Sequence, residues 1–145
     1  SRSIPGRCWK TTWFKVRVLL DTCAVLWAVS APDKLSQMAR QVLSAEETEP
    51  WVSAISSAEI ACACERGRIE LDTHWKTWFR KYLQLNQWMC LSIGLAIVEE
   101  AYSLPPPFHQ DPADRIIVAT ARIHRLHMVT ADRRILEYPH VETLW

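Results

Sequence analysis

Two aspartates stand three positions apart at the start of a predicted helix. Asp111 precedes Pro112, which fits the first helical position because a missing N–H costs nothing there. Asp111 would then be the N-cap, and Asp114 the third helical residue. Taken alone, this pattern is typical of a well-capped helix. It gains interest because other acids occur at comparable junctions between predicted elements, and these acids are Asp21, Glu59 and Asp132.

The positions of these acids predict a common location. Asp21 and Asp132 each follow a short apolar run that predicts a buried strand. Glu59 and Asp114 fall in the first turn of predicted helices that are reached from the same edge of the sheet. In open α/β sheets, the ligand site lies beyond the carboxyl ends of the strands. We therefore expect the four carboxylates to face one pocket.

Carboxylates gathered in one pocket would need a cation. Crowded acids repel each other, and without compensation at least one of them would take up a proton. Mg²⁺ or Mn²⁺ removes this cost and prefers oxygen ligands. Such an ion can also orient and deprotonate a water for attack on a phosphodiester. The sequence therefore predicts a divalent-metal site.

Each acid also has a purely structural explanation. Asp21, Asp111 and Asp132 could each cap the helix or turn that follows. Ser56 and Glu59 have the spacing of a capping box. Helix N-termini favour acids on electrostatic grounds in any case. These explanations account for the acids singly, but not for their common position at one sheet edge.

Strands and helices alternate along the chain, which predicts a parallel sheet with helices on both faces and right-handed crossovers. The predicted strands are 16–20, 50–53, 88–91, 127–130 and, at an edge, 141–144. The predicted helices are 23–29, 34–47, 56–65, 72–85, 94–102 and 112–124. Helix 72–85 carries a broad apolar stripe, which predicts core, with a partner-binding surface as the alternative. The stripe consists of Trp75, Trp78, Phe79, Tyr82 and Leu83.

The composition indicates one globular domain. The chain has 145 residues, of which 49% are apolar and 23% charged, and a net charge of +1 gives no overall field for nucleic acid or membrane. No apolar run is long enough to span a bilayer, and none near the start resembles a signal peptide. Residues 1–14 are basic and predict a flexible extension to a domain at 15–145. Five cysteines without metal-ligand spacing predict buried, reduced thiols in the cytosol.

Several other chemistries lack their residues. The chain has three glycines and contains neither a Gly-x-Gly-x-x-Gly loop nor a Gly-x-Ser-x-Gly elbow. The second aspartate of aspartyl-phosphate phosphatases is missing two residues after Asp21. A phosphoacceptor signalling domain would place a lysine just after a late strand, where this chain has Asp132. A phosphatase or signalling domain is therefore the weakest interpretation.

At these residues the sequence resembles PIN-domain ribonucleases, and more closely the VapC-like toxins of bacterial and archaeal toxin–antitoxin pairs. The matching segments are 19–22, 53–60, 108–115 and 129–134, in the family's order, within a stretch from about Val16 to the end. The resemblance implies an α/β fold, a three-layer α/β/α sandwich whose central, mostly parallel sheet has four to five strands. It also implies an endoribonuclease that depends on Mg²⁺ or Mn²⁺. Carried over by position, the family's catalytic and metal-binding acids are Asp21, Glu59, Asp114 and Asp132.

The resemblance also suggests further residues and partners. Asp111 matches an additional acid of this subgroup, and it ranks below the others as a metal ligand because it is the better cap. Arg115, Thr130 and Arg133 are the candidate substrate-binding residues, with salt-bridge or solvated roles as alternatives for the arginines; the neighbouring Arg134 could also hold a phosphate. The implied partners are RNA, a cognate VapB-like antitoxin and a second copy in a homodimer, in the cytoplasm and without a membrane.

The alternative function is a non-catalytic protein- or RNA-interaction module on the same fold. Its binding surface would be the aromatic side chains around Trp75 and Trp78 together with the sheet edge. Metal titration separates the two hypotheses, because a nuclease of this type should be stabilised by Mg²⁺ or Mn²⁺.

Overall fold

A computed structural model describes residues 15–145, so the predicted extension at 1–14 lies outside the described residues. Its centre is a parallel sheet of five strands in the order β3-β2-β1-β4-β5. The strands are β1 (Val16–Leu20), β2 (Thr48–Ser53), β3 (Met89–Leu91), β4 (His127–Val129) and β5 (Thr143–Leu144). The five strands predicted from the sequence are all present and pair in parallel, as predicted, and the edge strand β5 is shorter than predicted.

Seven α-helices connect and cover the strands of the described chain. They are α1 (Thr22–Ser30), α2 (Gln37–Ser44), α3 (Ala54–Glu65), α4 (Trp75–Asn86), α5 (Leu95–Ala101), α6 (Pro112–His124) and α7 (Arg133–Leu136). Helix α6 has the predicted bounds. Within residues 15–145, none of these helices has the length and apolar character needed to cross a bilayer.

Strand β1 separates two cores. Val18 and Leu20 pack on one side with α1, α2 and α4, whereas Leu19 packs on the other side with α6. Successive side chains of a strand point to opposite faces, so this alternation places helices on both sides of the sheet. The three-layer α/β/α architecture is thereby confirmed.

The aromatic stripe of α4 belongs to the core. Trp78 and Phe79 are buried, and Trp75, Tyr82 and Leu83 pack against the same cluster. The prediction of core is confirmed, and the alternative interaction surface is largely inside the molecule.

The helix predicted at 34–47 is wrong in its bounds. A 3-10 turn at Pro32–Lys34 comes first, Leu35 is extended, and the Ser36 side chain then caps α2 by accepting the Ala39 N–H at 3.0 Å. A serine that bonds the backbone locally favours a helix start over a helix interior. The turn lets Leu35 and Ala39 enter the core together.

The cysteine prediction needs a correction. The four cysteines of the described residues are free, but Cys23, Cys62 and Cys90 are exposed. On α3 the buried positions are Ser56 and Ile60, one turn apart, and Cys62 lies off that stripe. Cys90 lies on β3, at the edge of the sheet, where one side of the strand has no neighbour.

Candidate functional site

The sheet brings two of the predicted acids to neighbouring strand ends. β1 and β4 pair with Leu20 opposite Val129, so both strands end at the same level. Asp21 follows β1 directly, and its N–H donates to the Val129 carbonyl at 3.1 Å. Asp132 follows β4 after two residues and precedes α7. The carboxyl end of the sheet therefore carries both acids, as the strand pattern predicts.

Asp21 is held in place by both of its carboxylate oxygens. Oδ1 accepts the Ala24 N–H at 2.8 Å, which caps α1, and Oδ2 accepts the Thr130 hydroxyl at 2.5 Å. Burial raises the pKa of Asp21 to about 6; the two hydrogen bonds oppose this rise, and the charges of Asp132 and Glu59 add to it. A carboxylate fixed in this way holds its orientation while its negative charge is poorly compensated.

Glu59 is not part of a capping box. Helix α3 begins at Ala54, and its cap is Ser53, whose side chain accepts the Ile55 N–H at 3.1 Å. The predicted start at Ser56 is wrong because the serine three residues earlier takes the capping role. Glu59 therefore lies in the second turn, and its local structural explanation is removed.

A chain of hydroxyl groups orients Glu59 instead. Thr22 donates a short hydrogen bond to the Glu59 carboxylate, and the hydroxyl of the buried Ser56 lies 2.9 Å from the same Thr22 oxygen. Since a threonine hydroxyl has one hydrogen, Ser56 is the donor to Thr22. Burial raises the pKa of Glu59; the bond from Thr22 opposes the rise and the charge of Asp111 adds to it.

Asp111 caps α6 as predicted. Its Oδ1 accepts the N–H groups of Ala113 at 3.0 Å and of Asp114 at 3.4 Å. Pro112 occupies the first helical position. The capping prediction is confirmed, and it leaves the second carboxylate oxygen of Asp111 outside the cap.

The pKa of Asp114 is raised by its burial and by the other acids of the site. Burial and, to a smaller extent, the charges of Asp111, Asp132 and Glu59 raise this pKa to about 7, against the opposing charge of Arg134. Charges interact this strongly only over short distances. Asp114, on α6, is thus affected by the cap of its own helix, Asp111, and by acids from two other parts of the chain, Glu59 and Asp132.

Asp132 differs from the other acids because Arg134 binds it twice. Asp132 Oδ1 accepts the Arg134 N–H at 2.9 Å, which caps α7, and the guanidinium Nη2 lies 3.1 Å from Oδ2. Burial by itself would raise the pKa of Asp132, but the hydrogen bonds and charge of Arg134 together lower it. The same Nη2 lies 3.3 Å from Asp114 Oδ2, so one guanidinium bridges two acids.

His109 adds a neutral side chain beside Asp114. Its Nδ1 accepts the Asp111 N–H at 3.4 Å, which assigns the ring proton to Nε2. Nε2 lies 3.2 Å from Asp114 Oδ2, yet it is buried without a well-aligned hydrogen-bond partner among the residues that the structure describes. Burial and the charge of Arg134 lower the pKa of His109, so the imidazole is neutral there.

The structure assigns Arg115 a role different from the predicted one. Its guanidinium donates to the carbonyls of His109 at 2.9 Å, Ala101 at 3.0 Å and Phe108 at 3.0 Å. These bonds fasten the loop before α6 to the end of α5. Satisfying three carbonyls of an irregular loop gives Arg115 a structural role, and its substrate contact stays a prediction.

The two other candidate substrate residues also differ from each other. Thr130 is fully buried; it donates to Asp21 and accepts the Asp132 N–H at 3.0 Å, so it positions these two acids. Arg133 is highly exposed and pairs with Glu137 at 3.1 Å. Of the three predicted contacts, Arg133 is the one whose side chain lies at the surface.

The donor chemistry at this edge fits a hard divalent cation. The acids present carboxylate oxygens, and burial together with mutual repulsion raises the pKa values of Asp21 and Asp114. Across residues 15–145, however, no three His, Cys, Asp or Glu side chains form a ready-made ligand set. Two of the carboxylates, Asp114 and Asp132, are directed at Arg134 instead.

Sequence reasoning missed two contacts of this site. The pairing of Arg134 with Asp114 depends on the placement of α7 beside α6, and the adjacency of Arg134 to Asp132 was its one local signal. The hydroxyl chain from Ser56 through Thr22 joins α3 to α1, and it left no signal in the sequence.

Comparison with known proteins gives concordant matches. A family model described as PIN domain matches residues 18–141. Ribonuclease VapC22 of Mycobacterium tuberculosis (strain ATCC 25618 / H37Rv) is 35% identical over 130 residues, which cover 88% of this chain and 98% of the relative.

Solved structures match the fold. A toxin–antitoxin complex from Klebsiella pneumoniae has a TM-score of 0.61 and 22% identity, and covers 88% of this chain and 96% of its own. VapBC2 from Rickettsia felis bound to a promoter DNA fragment has a TM-score of 0.65 and 12% identity, with 89% and 98% covered. FitAcB from Neisseria gonorrhoeae has a TM-score of 0.56 and 20% identity, with 88% and 96% covered.

Proposed function

Because the chain belongs to the PIN-domain family, we propose that it is a VapC-like endoribonuclease toxin that hydrolyses RNA phosphodiester bonds with the help of Mg²⁺ or Mn²⁺. The observation that carries this proposal is the set of interacting acids at the carboxyl end of the sheet, in a chain 35% identical to a ribonuclease. Hydrolysis adds a water oxygen to phosphorus and breaks one of its bridging P–O bonds.

Asp21, Glu59, Asp114 and Asp132 would hold the cation, and Asp111 could contribute its oxygen that is not used in the cap. When bound, the cation supplies charge neutralisation at the phosphate and a water of lowered pKa. The site needs no further cofactor for this reaction.

The chain's own residues prepare the site before the ion or the RNA arrives. Thr130 and the Ala24 N–H fix the Asp21 carboxylate, and Thr22 fixes that of Glu59. Preorganised groups of this kind avoid reorganisation during the reaction. Arg133, which is exposed beside Asp132, would contact a backbone phosphate of the RNA.

The proposal includes partners and a location. A VapB-like antitoxin would neutralise the toxin, and a second copy of the chain would complete a homodimer. We place the protein in the cytoplasm, where RNA is available and where the free thiols of the described residues would stay reduced. The interaction-module alternative has lost its main support, because Trp78 and Phe79 of its aromatic surface are buried.

Cleavage of total RNA by the purified protein tests the proposal, with Mn²⁺ in one arm and chelator in the other. We expect cleavage that requires Mn²⁺ and falls at least about 100-fold in Asp21→Asn, because loss of a ligand should exceed the 10- to 100-fold effect of losing an outer partner. Asp33→Asn is the matched control, since Asp33 is exposed in the 3-10 turn.

The control variant should cut as fast as the parent. Equal cleavage by Asp21→Asn and the parent, in preparations free of contaminating nucleases, would contradict the assignment. If the parent cleaves RNA with Mn²⁺, mapping of the cut ends identifies the sequence that the enzyme prefers.

A further inference from the structure

Arg134 forms salt bridges with members of the acidic cluster, which consists of the five acids Asp21, Glu59, Asp111, Asp114 and Asp132. Among residues 15–145, it is the one Arg or Lys that forms a salt bridge with any of the five acids. Its Nη2 lies 3.1 Å from Asp132 Oδ2 and 3.3 Å from Asp114 Oδ2. The two acids come from different elements, so the guanidinium connects α6 to the loop before α7.

The neighbouring basic side chains are engaged elsewhere. Arg115 donates to backbone carbonyls, and Arg133 pairs with Glu137. His109 Nε2 lies 3.2 Å from Asp114 Oδ2 but makes no well-aligned hydrogen bond to a described residue. The positive charge within reach of Asp114 and Asp132 therefore comes from Arg134.

The side chain of Arg134 can leave without unfolding its surroundings. It is 57% exposed, so solvent screens its ion pairs and water can replace its hydrogen bonds. The backbone N–H of Arg134 would still hold Asp132 Oδ1, because that bond does not depend on the guanidinium. The acids would thus keep their positions while two of their oxygens become available.

We propose that Arg134 is an internal counter-cation, which offsets part of the negative charge of Asp114 and Asp132 in the metal-free protein and competes with a divalent cation for them. This inference rests on the proposed function, because it assumes that the acids bind a metal. Metal binding would then require the guanidinium to move away from the same oxygens. An ordinary surface ion pair that only stabilises α7 would leave metal affinity unchanged.

Calorimetric titration of the whole chain with Mn²⁺ alone tests the inference. Arg134→Gln removes the charge, Arg134→Lys keeps it with fewer donors, and Arg133→Gln is the control on the adjacent, more exposed arginine. We expect Arg134→Gln to lower the Kd for Mn²⁺ by about three- to tenfold, since two exposed ion pairs no longer compete. Arg134→Lys should give an intermediate Kd, and Arg133→Gln should match the parent.

The outcomes separate this inference from the function on which it rests. An unchanged or higher Kd in a folded Arg134→Gln, with normal binding by the parent, would overturn the counter-cation alone. A parent that binds no Mn²⁺ would overturn the proposed metal-dependent function, and the inference with it. A thermal melt of each metal-free variant establishes that it is folded before titration.

Discussion

The two ends of the sheet differ in how their charges are compensated. At the amino-terminal ends of β4 and β5, a cavity of about 750 Å³ is lined by Arg122, His127, Glu100 and Glu142, among others. The acids there have partners: Glu100 lies 2.6 Å from Arg122, and Glu142 lies 2.9 Å from His127. Acids and bases are matched one to one in these pairs.

The carboxyl end has more acids than cations. Asp21 and Glu59 accept hydrogen bonds from hydroxyls, and Arg134 is shared by Asp114 and Asp132. Burial, together with the charges of the neighbouring acids, raises the pKa values of Asp21 and Asp114. The acids therefore lie at the opposite end of the sheet from the cavity of about 750 Å³, so cavity size does not identify the site in this molecule. The site is identified by repulsion between acids that no matching number of cations compensates. Such repulsion costs stability, and a bound cation would relieve it.

Of the substitutions that compare the two ends of the sheet, replacement of Thr130 by valine should have the largest effect, and this effect is on the rate of RNA cleavage. The change keeps the shape of the side chain but removes the hydroxyl that holds Asp21. We expect Thr130→Val to slow RNA cleavage by about 10- to 100-fold, as loss of an outer partner does at metal sites. Single-turnover cleavage at saturating Mn²⁺ measures the effect.

Thr120→Val is the matched control, because Thr120 is also fully buried but donates to the Ile116 carbonyl within α6. Its cleavage rate should stay within about twofold of the parent rate. Equal losses in the two variants would mean that buried threonines support only the fold, and the special role of Thr130 would be refuted.

Replacement of Arg122 by glutamine probes the opposite end of the sheet. The change removes the ion pair with Glu100 and the 2.5 Å bond to the His140 carbonyl. We expect the free energy of unfolding to fall by about 1–2 kcal/mol, with no change in the rate of RNA cleavage. Urea unfolding and the cleavage assay measure the two quantities. A loss of cleavage larger than the loss of folded protein would show that the charges at this end also serve function.

Neutralisation of Asp114 should raise the free energy of unfolding, whereas the Arg122 substitution lowers it, and the change should be smaller. The pKa of Asp114 is raised from 3.8 to about 7, so the folded protein binds a proton there that the unfolded chain does not bind between these values. Stability therefore falls as pH rises from about 4 through about 7, and this contribution is complete above the folded pKa. We expect metal-free Asp114→Asn to be more stable than the parent at pH 8 by up to about 1 kcal/mol, after allowance for solvent screening.

The difference in stability between parent and variant should shrink as the pH is lowered from 8 to 5. Thermal melts in chelator at several pH values measure it, and comparison with the variant cancels the titration of groups that lie far from Asp114. A parent that is more stable than Asp114→Asn at pH 8 would show that Arg134 compensates the charge of Asp114 in full.

The local chemistry of several elements was sufficient to predict them. Strand β1 (Val16–Leu20) and helix α6 (Pro112–His124) have the predicted bounds. Strand β1 is marked by an apolar run that ends before Asp21, and α6 by Asp111 and Pro112 at its start. The start of α3 was misplaced because Ser53, Ser56 and Ser57 offer several capping hydroxyls within one turn. Choosing among them depended on Ser56 being buried against α1, which is a long-range contact.

Local sequence patterns were enough to predict that acids follow the apolar runs, that strands and helices alternate, and that Asp111 caps a helix, since these properties depend on neighbours a few residues away. The tertiary structure alone decided that Arg134 bridges Asp114 and Asp132, and that Arg115 fastens a loop. A long, flexible arginine side chain can reach many partners, and its actual partner depends on which elements the packed core brings within about 4 Å of it.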